Sequence, residues 1–340
     1  MLAPIFKDGP TTRVEILGSP SIVVGYNLTS YIAKEVLSIT KSSTYVFVTD
    51  SNLETLHLPA LVEAFEDKLS GTKSRLLSYV ISPGEQSKSR KTKAEIEDFL
   101  FANGCTRDTC MIGLGGGVIG DLVGFVASTF MRGIPMINLP TSLLAMVDSS
   151  IGGKTAIDVP AGKNLVGSFW QPLRVYVDLS YLATLPKREF SNGMAEIIKT
   201  AIIADSECFE KLESSDHEAL AADTSGLEAV VLGSIRFKAF VVTADERESG
   251  LRGLLNFGHS IGHAIEALLA PKLLHGECVA LGMIQETEVA RSLGACSQVT
   301  LARLTRVLKL YHLPTTLHDS AIPLGPSERE TLTDLWQFSG

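Results

Sequence analysis

His259 and His263 stand four residues apart in Asn256-Phe-Gly-His259-Ser-Ile-Gly-His263-Ala-Ile-Glu266, so a helix there projects both imidazoles from one face. His275 follows in Leu274-His275-Gly276-Glu277. Glu196, in Gly193-Met-Ala-Glu196-Ile-Ile-Lys199, supplies a carboxylate to an otherwise apolar helical run, where it would be costly without a partner. Two imidazoles and one carboxylate make a divalent-metal set that keeps a coordination position open for a substrate. Spacing leaves open which two histidines would ligate, and a hydrogen-bonded core pair fits it too. Gly258 and Gly262 indicate close approach to this helix, by a ligand or by a second helix.

A second group of residues suits anions. Gly115-Gly116-Gly117-Val118-Ile-Gly-Asp121 follows an apolar run and leads into helical spacing over 122–130. Glycines there let backbone N–H groups and a helix N-terminus approach a pyrophosphate, although the spacing is not the strict dinucleotide fingerprint and a tight structural turn reads the same way. Asp121 either accepts bonds from a ribose or caps the helix. Asp50 and Asn52 end one expected strand, and Glu85 and Lys88 follow another, the place where open α/β sheets bind ligands. Asp148 precedes Ser149-Ser-Ile-Gly-Gly-Lys154, and Ala161-Gly-Lys163-Asn164 adds a second Gly-Lys step; such loops hold anions or simply carry solvated lysines. Lys238, between Phe237 and Ala239, and Arg252, seven residues before His259, are cations embedded near the metal set.

These side chains need a frame. Residues 44–49, 76–81, 110–114 and 136–139 read as short buried strands, alternating with helical patterns such as 91–101, the signature of a mostly parallel sheet. From Pro186 the period changes to 3.6, over 194–203, 227–243, 259–269 and 278–293. The expected architecture is a Rossmann-like α/β nucleotide-binding domain over 1–185 and an all-α metal-binding domain over 186–340.

Composition bounds the rest. The chain has 340 residues, is 45% hydrophobic, and carries 30 Lys+Arg against 38 Asp+Glu, a net charge of −8. That sign disfavours a nucleic-acid partner. Five scattered cysteines with no C-x-x-C pair fit a reducing compartment. Residues 111–131 are apolar but carry six glycines and Asp121, which disfavours a membrane helix. The opening residues lack a basic leader, so the expected location is cytoplasmic.

The assembled segments resemble the 3-dehydroquinate synthase family, in particular the synthase arm of the fungal pentafunctional arom polypeptide. The resemblance runs through Ser87-Lys-Ser-Arg90, residues 115–132, 139–155, 193–199, Ala244-Asp-Glu-Arg-Glu248 and 254–266. It implies the two-domain dehydroquinate synthase fold, NAD and one Zn2+ per subunit (Co2+ being another ion able to serve), a homodimer, and a small sugar phosphate as substrate, with neither nucleic acid nor membrane as partner. The implied zinc ligands are Glu196, His259 and His275, and the implied acid/base residues are His263 and Glu248. Asp50, Asn52, Glu85, Lys88, Gly116, Gly117, Val118, Asp121, Thr141, Ser142, Lys163 and Thr184 match NAD positions. Substrate positions are matched by Asp148, Lys154, Asn164, Glu196, Lys199, Lys238, Arg252, Asn256, His259, His263 and His275, and Arg132 by an arginine lent from the neighbouring subunit.

The implied reaction, in the shikimate pathway, converts 3-deoxy-D-arabino-heptulosonate 7-phosphate to 3-dehydroquinate by transient oxidation, phosphate elimination, re-reduction and aldol closure. The alternatives are another sugar phosphate cyclase, a polyol dehydrogenase, and a shortened non-catalytic relative. Two departures are visible. Ser142 replaces a threonine and keeps the hydroxyl; and no cation follows Arg329, where the family carries a phosphate-binding lysine, which implies a weaker phosphate contact beyond a helix-like stretch at 328–338.

Overall fold

The structure, a computed structural model, describes residues 2–319 and residue 325. The stretch 328–338 lies outside them. The strands are β1 (Ile5–Asp8), β2 (Thr11–Ile16), β3 (Ser19–Gly25), β4 (Thr44–Asp50), β5 (Arg75–Ile81), β6 (Cys110–Gly115), β7 (Met136–Pro140), β8 (Lys154–Val159), β9 (Gly162–Phe169) and β10 (Arg174–Asp178). Between them run α1 (Thr29–Ile39), α2 (Ser51–Leu56), α3 (Leu58–Leu69), α4 (Arg90–Ala102) and α5 (Gly117–Thr129). The later helices are α6 (Lys187–Ala204), α7 (Ser206–Glu213), α8 (His217–Ala222), α9 (Thr224–Ala244), α10 (His259–Leu269), α11 (His275–Ser292) and α12 (Gln298–Leu310).

An eight-stranded sheet has the order β1-β2-β3-β10-β7-β6-β4-β5, and β8 and β9 form a separate antiparallel hairpin. From β3 to β5 the neighbours are parallel, while β1 and β2 pair antiparallel at one edge. Parallel strands covered on both faces read as unbroken apolar runs, and β4 and β6 are buried almost throughout for that reason. One face packs on α4 and α5 through Val46, Ile96, Leu100, Met111, Leu122 and Val126. A Cβ on Gly124 would lie 2.3 Å from Thr155 Cγ2, so only glycine lets α5 lie so close to β8.

The four expected strands and the mostly parallel sheet stand. The antiparallel edge, β10 and the β8–β9 hairpin were not anticipated. Lys154, Lys163 and Asn164 therefore sit on hairpin strands rather than in loops. Helix α5 starts at Gly117, five residues before the expected 122, directly after the strand.

Two compact units emerge: Met1–Pro186 with Ile235–Arg247, and Lys187–Ser234 with the chain from Glu248 onward. A single cut at 185 misses the return of 235–247 to the first unit. Arg236 Nε donates to Ala3 O at 3.0 Å, Leu17 N to Thr243 Oγ1 at 2.9 Å and Gln171 Nε2 to Glu246 Oε1 at 3.0 Å. The second unit is helical among its described residues, with Ile265, Leu269, Leu273, Cys278 and Leu281 at the heart of its α10–α11 contact. No helix among the described residues is long and apolar enough to cross a membrane.

Candidate active site

In the second unit, α6 carries Glu196 and Lys199 one turn apart, both buried. Lys199 Nζ lies 2.5 Å from Glu196 Oε2 and donates to Leu255 O at 2.8 Å. That leaves Glu196 Oε1 buried with no hydrogen-bond partner. It faces His259 Nε2 at 3.6 Å and His275 Nε2 at 3.7 Å. The far ring nitrogens are occupied: His259 Nδ1 is 3.2 Å from Phe257 O, and His275 Nδ1 is 3.1 Å from Glu266 Oε2. When both rings are neutral with Nδ1–H donating, their Nε2 lone pairs would point toward the unpartnered oxygen. One ligand atom from each of Glu196, His259 and His275 lies within 4.8 Å of the others. A buried acceptor with no donor, flanked by two imidazole lone pairs, is what a divalent cation satisfies, so the residues fit a metal.

Charge follows from this packing. Burial alone would raise the Glu196 carboxyl, but Lys199 and the two imidazoles hold it well below the carboxylate range. Burial pushes His259 down to about 4. Burial also opposes charging His275, yet without a metal the carboxylates of Glu196 and Glu266 raise it to about 10, so a cation bound there would take the place of its Nε2 proton.

Helix packing sets the geometry. His259 and His275 are the first residues of α10 and α11. Gly258 adopts a left-handed φ of 78°, and its N–H donates to Glu286 Oε2 of α11 at 2.7 Å. A Cβ on Gly282 would lie 1.9 Å from Gly258 O, so the two helices touch backbone to backbone. Gly276 N donates to Asn192 Oδ1 at 2.6 Å, fixing the start of α11 to α6. His263 stands outside the Glu196–His259–His275 trio, exposed, its ring 5.0 Å from that of His259. The helical i, i+4 pair is therefore not the pair that meets Glu196. Arg252 is buried, Asn256 closes the 3-10 turn Leu251–Asn256, and Glu248 is exposed in left-handed backbone with φ 61°.

In the first unit, several expected nucleotide residues converge at the carboxyl ends of the strands. Lys88 is buried, not an exposed loop residue: its Nζ lies 2.5 Å from Asp121 Oδ2 and 2.5 Å from Asn164 Oδ1. Asn164 has φ 58°, and its N–H donates to Asp158 Oδ1 at 2.9 Å. Lys163 Nζ approaches Glu85 at 3.8 Å. Burial pushes Asp121 up to about 6 against the pull of Lys88. Asp121 lies inside α5 and does not cap it; Gly116 is the cap residue, followed by Gly117 and half-buried Val118. Thr141 N donates to Gly115 O at 3.0 Å, and Ser142 Oγ sits 3.4 Å from where a Gly116 Cβ would be.

Other expected residues take local roles. Asp50 caps α2, accepting from Asn52 N at 2.8 Å. Thr184 Oγ1 pairs with His57 Nε2 at 2.8 Å. Lys238 is ion-paired with Asp148 and donates to its carbonyl at 2.6 Å. Lys154 and Arg132 are exposed, Arg132 with φ 70°.

The chain resembles known proteins over most of its length. Residues 78–192 match the family model described as "3-dehydroquinate synthase N-terminal", and 193–332 match "3-dehydroquinate synthase C-terminal". The chain belongs to the 3-dehydroquinate synthase family. It is 53% identical over 339 residues to the pentafunctional AROM polypeptide of Yarrowia lipolytica (strain CLIB 122 / E 150), covering 94% of this chain and 22% of that protein. The chain thus spans about a fifth of that curated relative. Among solved structures, 2-deoxy-scyllo-inosose synthase complexed with carbaglucose-6-phosphate, NAD+ and Co2+ superposes with a TM-score of 0.81 at 25% identity, covering 91% of this chain and 82% of that one. The 2-epi-5-epi-valiolone synthase of Streptomyces hygroscopicus subsp. jinggangensis 5008, with NAD+ and Zn2+ bound, gives 0.78 at 29% identity over 97% of this chain and 88% of that one.

For a synthase-family chain, three residues escaped the sequence reading. Glu266 stands seven residues, two helical turns, after His259 and so on the same face, a signal available from spacing. Glu286 and His57 left none, because their partners are remote in sequence.

Proposed function

We propose that this chain is a 3-dehydroquinate synthase of the shikimate pathway, a phosphate-eliminating carbon–oxygen lyase acting on 3-deoxy-D-arabino-heptulosonate 7-phosphate. The observation that carries the reading is Glu196 Oε1, a buried acceptor without a donor that faces two imidazole Nε2 atoms. Glu196, His259 and His275 would hold Zn2+, which when bound polarises and acidifies hydroxyl groups. NAD, for which the first unit's Gly116, Gly117, Val118, Asp121, Lys88, Glu85, Lys163, Thr141, Ser142, Asp50, Asn52 and Thr184 are the proposed contacts, supplies reversible hydride transfer.

The remaining roles belong to the chain's own side chains. In the second unit, partial desolvation of the His263 ring and the neighbouring His275 lower the His263 pKa, leaving a neutral imidazole able to accept a proton. Glu248 is the proposed second proton carrier. Lys199 neutralises the Glu196 oxygen that faces away from the histidines. Arg252 and Asn256 offer donors for a carboxylate and a hydroxyl. In the first unit, Lys154 and Asn164 offer donors to a phosphate, and Asp148 with Lys238 forms an acceptor–cation pair for the sugar. The proposed assembly is a cytoplasmic homodimer, with Arg132 presented to the neighbouring copy. Free thiols at all five cysteines suit that compartment.

A phosphate-release assay on the purified chain tests this. With NAD+ and Zn2+, inorganic phosphate should appear from 3-deoxy-D-arabino-heptulosonate 7-phosphate with no net NADH, and a chelator should stop it. His263→Ala should lower kcat by about 100- to 10,000-fold. Faster release from sedoheptulose 7-phosphate, or accumulation of NADH, would point to another cyclase or to a dehydrogenase.

A further inference from the structure

We propose that Glu266 is the positioning residue for His275: its carboxylate accepts the Nδ1–H hydrogen bond and thereby commits the Nε2 lone pair to the metal. The inference rests on the metal reading above and deepens it. Each candidate imidazole needs its non-ligating nitrogen fixed, because a freely flipping ring presents a lone pair or a proton at random. The two rings solve this differently. His259 Nδ1 faces the neutral carbonyl of Phe257 at 3.2 Å, whereas His275 Nδ1 faces the Glu266 carboxylate at 3.1 Å. A charged acceptor polarises the N–H more strongly than a neutral one, so His275 is the more basic of the two ligands.

Glu266 belongs to α10, on the same stripe as His259 and His263, and its side chain is only 13% exposed. One helix therefore supplies a ligand at its first residue and, two turns later, the group that orients a ligand on α11.

A competing arrangement is present in the same atoms. His263, Glu266 and His275 also place ligand atoms within 4.8 Å of one another and could bind a second cation. A neutral imidazole, however, has one lone pair and one N–H. His275 can serve either group through its lone pair, not both. The trio with Glu196 holds the buried oxygen that has no donor, and claims it. The Nδ1 proton is then left for Glu266.

The test measures metal binding on the full metal-free chain, independent of turnover. Zinc is titrated in competition with a chromophoric chelator, and the visible absorption of the cobalt-loaded protein is recorded for wild type, Glu266→Gln and Glu266→Ala. Wild type should bind one ion per chain. Glu266→Ala should bind about 10- to 100-fold more weakly with a displaced cobalt spectrum, and Glu266→Gln, which keeps an acceptor but loses the charge, should fall between. If Glu266→Ala does not fold, as far-UV circular dichroism would reveal, the glutamine variant carries the comparison. Wild-type affinity and an unchanged cobalt spectrum in the variants would overturn the positioning role. Two ions in wild type and one in Glu266→Ala would make Glu266 a ligand instead. A wild-type chain that takes up no ion would bring down the metal reading itself.

Discussion

Lys199, buried, and Asp121, half-buried, are two charges with opposite consequences. Lys199 is the partner that makes a buried Glu196 carboxylate tolerable, and removing one member of such a pair typically costs about 3–5 kcal/mol. Lys199→Met should cost the metal-free protein a loss of that order in chemical denaturation; an unshifted transition would mean that something else neutralises Glu196. Asp121 is the reverse case, a carboxyl whose folded value, about 6, lies above its ordinary one. Its ionised form therefore disfavours folding at neutral pH, and this cost is relieved as pH falls through about 6 toward 4. Whatever offset Asp121→Asn shows at pH 7, wild type should gain about 2 kcal/mol on the variant between pH 7 and 4.5. A pH-independent difference would show that Asp121 titrates normally. Residue types made Glu196 legible as a candidate, since a lone carboxylate in an apolar helix demands an explanation, while the choice of His259 and His275 rested on the family resemblance. The spacing of His259 and His263 left the choice of histidines open, because His263 lies one turn along the same helix while His275 opens another that only the fold brings near. The burial of Lys88 was not legible: its partners Asp121 and Asn164 are distant in sequence, and nothing in its own segment marks it.

Among the elements, the α10–α11 contact decides the candidate metal geometry. A methyl at position 282 must push Gly258 O away from 1.9 Å, and the backbone has no rotamer with which to yield. Gly282→Ala should destabilise by about 3 kcal/mol or more, the upper end for overpacking, and should weaken zinc binding along with it. Gly253→Ala is the control, since a Cβ there meets nothing within 4 Å. It should change stability by less than about 0.5 kcal/mol. Equal effects of the two substitutions in thermal and zinc-binding measurements would remove the helix contact from the argument. The same scale separates what could be read from what could not. Strands β4 and β6 are apolar on both faces and announce themselves. Strand β9, Gly-Lys-Asn-Leu-Val-Gly-Ser-Phe, is largely exposed and carries two glycines, so its pattern is indistinguishable from a loop until β8 pairs with it.

For the molecule as a whole, the candidate ligands all lie in one of the two units, on α6, α10 and α11. A ligand that binds only the native state stabilises what it touches, by about 2.7 kcal/mol at a hundredfold excess over its Kd. Removing metal should therefore raise hydrogen exchange over 187–204, 259–269 and 275–292 and leave β4, β6 and β7 protected; uniform loss of protection would contradict this. The change of period near residue 186 was visible because helical and strand repeats differ. The return of 235–247 was not, since a helix keeps one period along its length whichever neighbours it serves. Helix α9 begins in one unit and ends in the other. Neither unit is thus a single stretch of gene. A fragment stopped at 186 would forfeit the partners that Lys238, Arg236 and Thr243 provide to Asp148, Ala3 and Leu17. A chain divided at that seam would leave the first unit without 235–247, while the second, which lies wholly after 186, would carry that stretch as an insertion foreign to it.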